Sequence, residues 1–217
     1  MPDEVAAENA DHRYEFRCWL DDDAAMDEAA RARLARDWTE HGGDDRRDIY
    51  LLLPDRPDVL VKLRDGERLD IKQRIATRGA LEQWAPRLNA SFPLAPAERA
   101  VVSRLAPELS AKIERCADAQ GAARAAAGPA RVAEVRKQRR RYRRDGVQAE
   151  ATLANVAGAD RTITLHTIAV EGVDPAAVDA AVTRLGLDGF DNRDYGARLA
   201  PVMSDRLRPG AVTIRRA

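Results

Sequence analysis

The chain has 217 residues, which suits one mid-sized domain or two very small ones. Its 36 Lys and Arg balance 36 Asp and Glu, so the formal net charge is zero. This excludes a generally cationic protein of the histone or ribosomal kind, and any binding of a polyanion has to come from local sorting of charge. Aromatic residues are only 5% of the chain, so the core must rely on Leu, Val, Ile and Ala. The two cysteines, Cys18 and Cys116, stand in no metal-ligand spacing and make no disulfide scaffold; His12, His41 and His166 form no paired motif. No apolar run approaches ~18 residues, so no transmembrane helix and no membrane partner are expected. The start MPDEVAAENADHR is acidic and lacks an apolar signal core, which points to the cytoplasm.

In chain order, residues 1–10 read as a flexible tail and 11–217 as a single domain. HRYEFRCWL (12–20) alternates and predicts a strand. DDDAAMDEAARARLARDW predicts a helix capped by Asp22 or Asp23, with Met26, Ala30, Leu34 and Trp38 on one face. EHGGDD (40–45) reads as a loop, and RRDIYLLLP as a second strand stopped by Pro54 and Pro57. DVLVKLRDGERLDIKQRI (58–75) predicts a hairpin turning at Asp65-Gly66. Residues 79–117 have a helical pattern, broken at Pro107, and 117–130 is a frayed helix end or a loop. RVAEVRKQRRRYRR, VQAEATLANV and RTITLHTIAVEG predict three more strands. DPAAVDAAVTRLG predicts a helix with Asp174 as cap, Pro175 at its first position and Gly186 at its end, and NRDYGARLAPVM a last short one. The order implies an α+β fold, a mostly antiparallel sheet with helices packed outside it.

Sorting each strand by parity separates two faces. One is apolar: Tyr14 and Phe16, Val61 and Leu63, Leu69 and Ile71, Ile168 and Val170. The other carries nine cations, Arg13, Arg17, Lys62, Arg64, Lys72, Arg74, Lys137, Arg139 and Arg141, against four anions, Glu15, Asp70, Glu150 and Glu171. In an open sheet such a face is simply wet. In a closed barrel it points inward, and an enclosed ring of cations is costly unless water and a polyanion neutralise it. An excess near five positive charges is about what a triphosphate-bearing ligand offsets.

The motif order resembles the CYTH superfamily, the triphosphate tunnel metalloenzymes, over roughly residues 12–200. The family opens with Glu-x-Glu-x-Lys; here Arg13-Tyr14-Glu15-Phe16-Arg17 keeps the second Glu and replaces the first. DIY (48–50), VKLR and DIKQR resemble the next strands. VRKQRRRY supplies Lys137, Arg139 and Tyr142; AEAT supplies Glu150 with Thr152. AVEG supplies Glu171 with Ala169 in place of a second Glu, and Asp194-Tyr195 resembles the closing helix. The resemblance implies a closed antiparallel eight-stranded β-barrel, the triphosphate tunnel, with helices packed outside. It implies a metal-dependent phosphohydrolase acting on a triphosphate-bearing small molecule, a nucleoside triphosphate or inorganic triphosphate. Arg17, Lys62, Arg64, Lys72, Arg74, Lys137, Arg139 and Arg141 would bind the substrate. Glu15, Glu150 and Glu171 would hold Mg²⁺ or Mn²⁺, and Glu150, Lys72 and Arg139 would act in catalysis. The same grip would serve a cyclase-like lyase, or a non-catalytic module binding polyphosphate or a nucleotide.

Nucleic acid is not expected as a partner, although seven of the nine residues in RKQRRRYRR (136–144) are basic. The run alternates within a strand, which leaves Arg136 and Arg140 as solvated surface. His166, the three tryptophans and Cys18 read as packing residues. The assembly expected is a monomer or homodimer.

Overall fold

The computed structural model describes residues 12–157 and 162–204; the tail expected over residues 1–10 lies outside them. Eight strands form a closed barrel: β1 (Arg13–Trp19), β2 (Thr39–Leu52), β3 (Val59–Arg64), β4 (Arg68–Arg78), β5 (Leu81–Ser91), β6 (Arg131–Arg144), β7 (Val147–Ala157) and β8 (Thr162–Gly172). Around the barrel they run β1-β5-β4-β3-β2-β6-β7-β8, and every pairing is antiparallel. The ring closes where β1 meets β8, from Tyr14 opposite Gly172 to Trp19 opposite Thr167.

Two segments depart from the sequence reading. EHGGDD is strand, not loop. It is the first half of β2, paired with β6 from Thr39 opposite Arg143 onward, with a bulge between Glu40 and Gly42. Its glycines are what let the strand pass: Gly42 takes φ +123° at the bulge, and a Cβ on Gly43 would lie 2.4 Å from the Arg139 carbonyl oxygen. The second departure is β5. The helical pattern expected over 79–117 holds only for α2 (Pro96–Leu105) and α3 (Pro107–Ile113); residues 81–91 are strand. Pro86 sits beside a register shift in the β4–β5 ladder, where a missing N–H is tolerated, and that proline disguises the strand.

The other elements follow their local chemistry. In the hairpin turn Asp65 and Gly66 both take positive φ, 55° and 70°. Asp23 caps α1 (Ala24–Asp37), accepting from the Met26 amide at 2.9 Å. Residues 117–130 contain a short helix, α4 (Ala119–Ala126), capped by Asp118 on the Gly121 amide at 2.6 Å. α5 (Pro175–Leu185) starts at Asp174 and Pro175 and stops at Gly186, φ +75°. A last helix, α6, spans Tyr195–Ser204.

Three apolar clusters hold the layers together. α2, α3 and α4 bury Val102, Leu109, Ile113 and Ala122 on the outer face of β2, β3 and β4, against Ile49, Val61, Leu63 and Ile71. α1 and α5 do the same with Leu34, Val178 and Leu185 over Phe16, Ile168 and Val170. The third cluster is inside the barrel: Tyr50, Leu52, Ala133, Val135, Ala154, Val156 and Leu165 meet Tyr195, Leu199 and Met203 of α6. Thus α6 lies across one end, and the barrel has an apolar floor.

Candidate functional site

Above that floor the inward positions turn ionic. Residues opposite one another in antiparallel strands share a face, so the register reads as layers of the wall. Arg46 lies opposite Lys137, Asp44 opposite Arg139, Arg141 opposite Glu150, Lys62 opposite Asp70, and Glu15 opposite both Glu171 and Glu82. Ten of the expected residues, Glu15, Arg17, Lys62, Arg64, Lys72, Lys137, Arg139, Arg141, Glu150 and Glu171, line one cavity of about 290 Å³. Arg74 does not. It pairs with Glu82, over the Trp84 ring at 5.9 Å, and faces a neighbouring pocket.

The sequence reading missed Arg46, Tyr50 and Trp84 of this lining, and the counter-charges Asp44, Asp48, Glu82 and Asp194. Asp44 and Glu82 fall in the segments taken for loop and helix. With these included, ten cations face eight carboxylates, so the excess is two positive charges rather than about five. The wall is a lattice of ion pairs. Arg139 binds Asp44 at 2.7 Å and Glu150 at 2.9 Å; Arg17 reaches Glu150 at 3.4 Å, and Thr152 donates to it at 2.8 Å. Lys72 pairs with Glu15, Lys62 with Asp70 at 3.5 Å, and Arg13 with Glu171 at 3.7 Å.

Asp48 is the hub nearest the floor and is fully buried. Its Oδ2 accepts from Lys137 at 2.8 Å and lies 3.1 Å from Arg46 and 4.0 Å from Lys62. Lys137 also donates to the Tyr50 hydroxyl at 2.6 Å and sits 3.9 Å from the centre of the Tyr195 ring. Burial works against the Asp48 charge, but the three cations outweigh it and hold the carboxyl at about 2. Burial pushes the Lys62 ammonium down to about 8 despite Asp48 and Asp70, and pushes Lys137 well below the ordinary lysine value. At Glu150 burial is again outweighed: Arg17 and Arg139 hold its carboxyl well below the usual range.

Among the described residues no group of three or more His, Cys, Asp or Glu side chains is arranged to hold a metal ion. Glu150 is engaged by two guanidiniums and a hydroxyl. Glu15 and Glu171 face each other across β1 and β8, and burial together with the Glu15 charge pushes the Glu171 carboxyl up. A pair of carboxylates that repel each other suits one divalent cation, which takes one or two protein carboxylates and completes its shell with phosphate oxygens and water.

The residues read as packing lie outside the cavity, except Trp84. His166 is bound through Nδ1 to Asp27 at 2.6 Å, and burial pushes the Cys18 thiol up to about 11. Of the basic run on β6, Lys137, Arg139 and Arg141 point inward, while Arg136 and Arg140 are exposed.

No protein-family model matches the chain, and no curated protein matches it. Solved structures do. The PH1012 protein of Pyrococcus horikoshii matches at 15% identity and TM-score 0.46, over 83% of this chain and 94% of that one. A putative adenylyl cyclase from Hippeastrum, described as having a dominant triphosphatase activity, matches at 13% identity and TM-score 0.49, over 91% and 98%. The Pct1 RNA triphosphatase of Schizosaccharomyces pombe matches at 10% identity and TM-score 0.38, over 89% and 78%.

Proposed function

We propose that the protein hydrolyses a phosphoanhydride bond of a triphosphate held inside the barrel. The observation that carries this reading is the enclosed cation wall: eight Lys and Arg side chains from β1, β2, β3, β4 and β6 converge on one cavity. A cavity of that lining selects a compact, highly charged anion over any neutral solute. The phosphate oxygens replace the carboxylates that the same cations hold in the free protein.

In this reading Lys62, Lys72, Arg139 and Arg141 bind and orient the phosphates and offset the charge that builds on them in the transition state. Glu150, fixed by Arg17, Arg139 and Thr152, positions the attacking water. Water adds to the terminal phosphorus as the bridging P–O bond breaks, releasing orthophosphate. Glu15 and Glu171 would hold Mg²⁺ or Mn²⁺, which when bound withdraws charge from the phosphate oxygens.

The test is phosphate release from ATP and from inorganic triphosphate with Mg²⁺, with Mn²⁺ and with chelator, using Glu15→Gln as control. The expected result is metal-dependent release that Glu15→Gln lowers by at least about a hundredfold, an effect of about 2.7 kcal/mol on the barrier. Tight metal-free binding of triphosphate without turnover would leave a binding module in place of a hydrolase. Absence of both binding and turnover would end the tunnel reading.

A further inference from the structure

Beside the ionic cavity lies a second pocket of about 260 Å³, and Leu60, Trp84 and Asp194 line both. Its walls are mostly apolar, with Arg56, Arg74 and Arg131 among them. The connection between β2 and β3 contributes Leu53, Pro54 and Pro57, and α6 contributes Gly196, Ala197 and Ala200. Gly196 keeps this wall thin: a Cβ there would lie 2.9 Å from Asp194 Oδ1 and 3.3 Å from Leu60 Cδ1. Nothing in the proposed hydrolysis uses this space. Inorganic triphosphate in the tunnel would leave an apolar surface facing water at its side.

From the three residues that the two adjoining cavities share we infer that the substrate is an organic triphosphate whose flat, apolar head group occupies this side pocket while its phosphates lie among the tunnel cations. The inference rests on the tunnel being a triphosphate site. The volume admits one or two small rings, at the lower end of what ligand pockets offer, and has no room for a polynucleotide chain. The junction adds a chemical preference. Glu82 and Asp194 both stand there; burial pushes each carboxyl up, and Asp194 adds to the shift at Glu82. Arg74 neutralises Glu82, and Asp194 accepts from the Ala197 amide at 3.0 Å. A head group with a hydrogen-bond donor on the edge facing Asp194 can pair with that carboxylate, while Arg56, Arg74 and Arg131 stand along the rest of the pocket.

Titration calorimetry in the presence of chelator separates the two cavities. The probes are inorganic triphosphate, ATP, CTP and thiamine triphosphate, each titrated into the wild type, Ala197→Phe and Ala200→Phe. The expected result is that at least one organic triphosphate binds about tenfold or more tighter than inorganic triphosphate. A ring placed at 197 or 200 removes that advantage and leaves the affinity for inorganic triphosphate unchanged, which also shows that the variants are folded. Should inorganic triphosphate bind and no organic triphosphate bind tighter, or should both variants keep the advantage, the side pocket is not the head-group site. If inorganic triphosphate itself fails to bind the wild type, the tunnel reading fails and takes this inference with it.

Discussion

The two ends of the barrel interior are built from the same strands and the same inward parity, yet they share almost no chemistry. Toward α6, β2, β6, β7 and β8 offer Leu52, Ala133, Val135, Ala154, Val156 and Leu165, which pack as a dry floor. Two to six residues further along the same strands, the inward positions are Asp48, Arg46, Lys137, Arg139, Thr152, Glu150 and Glu171. The floor is stabilised by area removed from water. The wall above it is held by mutual neutralisation, and it keeps its stability only while each charge has its partner. The floor therefore fixes the shape of the barrel, and the wall is the part that can exchange partners with a ligand.

The sharpest way to break this contrast is at Asp48. Asp48→Ala strands Lys137, Arg46 and Lys62 as buried cations, and is expected to lower unfolding free energy by about 3–5 kcal/mol in urea denaturation. A loss below about 1 kcal/mol would mean that the wall is wetter than its burial implies. On the floor, Leu165→Ala removes a fully buried side chain and should cost about 2–5 kcal/mol. Because Leu165 touches no phosphate position, the variant should bind inorganic triphosphate as the wild type does in calorimetry.

Lys62 sharpens the comparison through pH. Its folded value of about 8 lies below its ordinary 10.5, so between those limits the unfolded chain binds more protons than the native one. Stability of the ligand-free protein should rise with pH across that window, and Lys137 adds in the same sense. Triphosphate affinity should move the other way, falling above about pH 8 as Lys62 loses its charge. Lys62→Arg retains the charge and should flatten that fall; an equally steep fall in the variant would assign the titration elsewhere. The smallest effect is expected outside the barrel. Arg136 sits one residue from Lys137 with its side chain 77% exposed, and Arg136→Ala should change stability by less than about 0.5 kcal/mol and leave triphosphate binding intact.

Much of this arrangement was legible in the sequence, because alternation is a direct consequence of the pleat. The Asp65-Gly66 turn, the caps of α5 and the inward set Lys62, Arg64, Lys137, Arg139 and Glu150 all follow from spacing and turn chemistry. What escaped were segments whose strand character depends on a partner. Gly42 and Gly43 look like loop residues until β6 passes close enough to require them. Pro86 looks like a strand breaker until the neighbouring bulge at Arg87 accommodates it. Each hidden segment carried a carboxylate of the wall, Asp44 on β2 and Glu82 on β5, so misreading two segments also misjudged the charge balance. Height along the barrel was not legible either. Parity assigns a side chain to the inside but does not say whether it meets α6 or the cavity.

The closure of the ring by β1 and β8 has a consequence for how the protein comes into being. Glu15 and Glu171 face each other, and Arg17 meets Thr167, partners 150 residues apart. No earlier stretch of the chain can complete the cavity. On a ribosome, β1 must wait, unpaired on that edge, until nearly all the other strands have been made, a contact order that favours slow folding. The exposed edge of β1 and the half-formed cation wall are then the two features that a folding intermediate would present to chaperones and to stray polyanions in the cell.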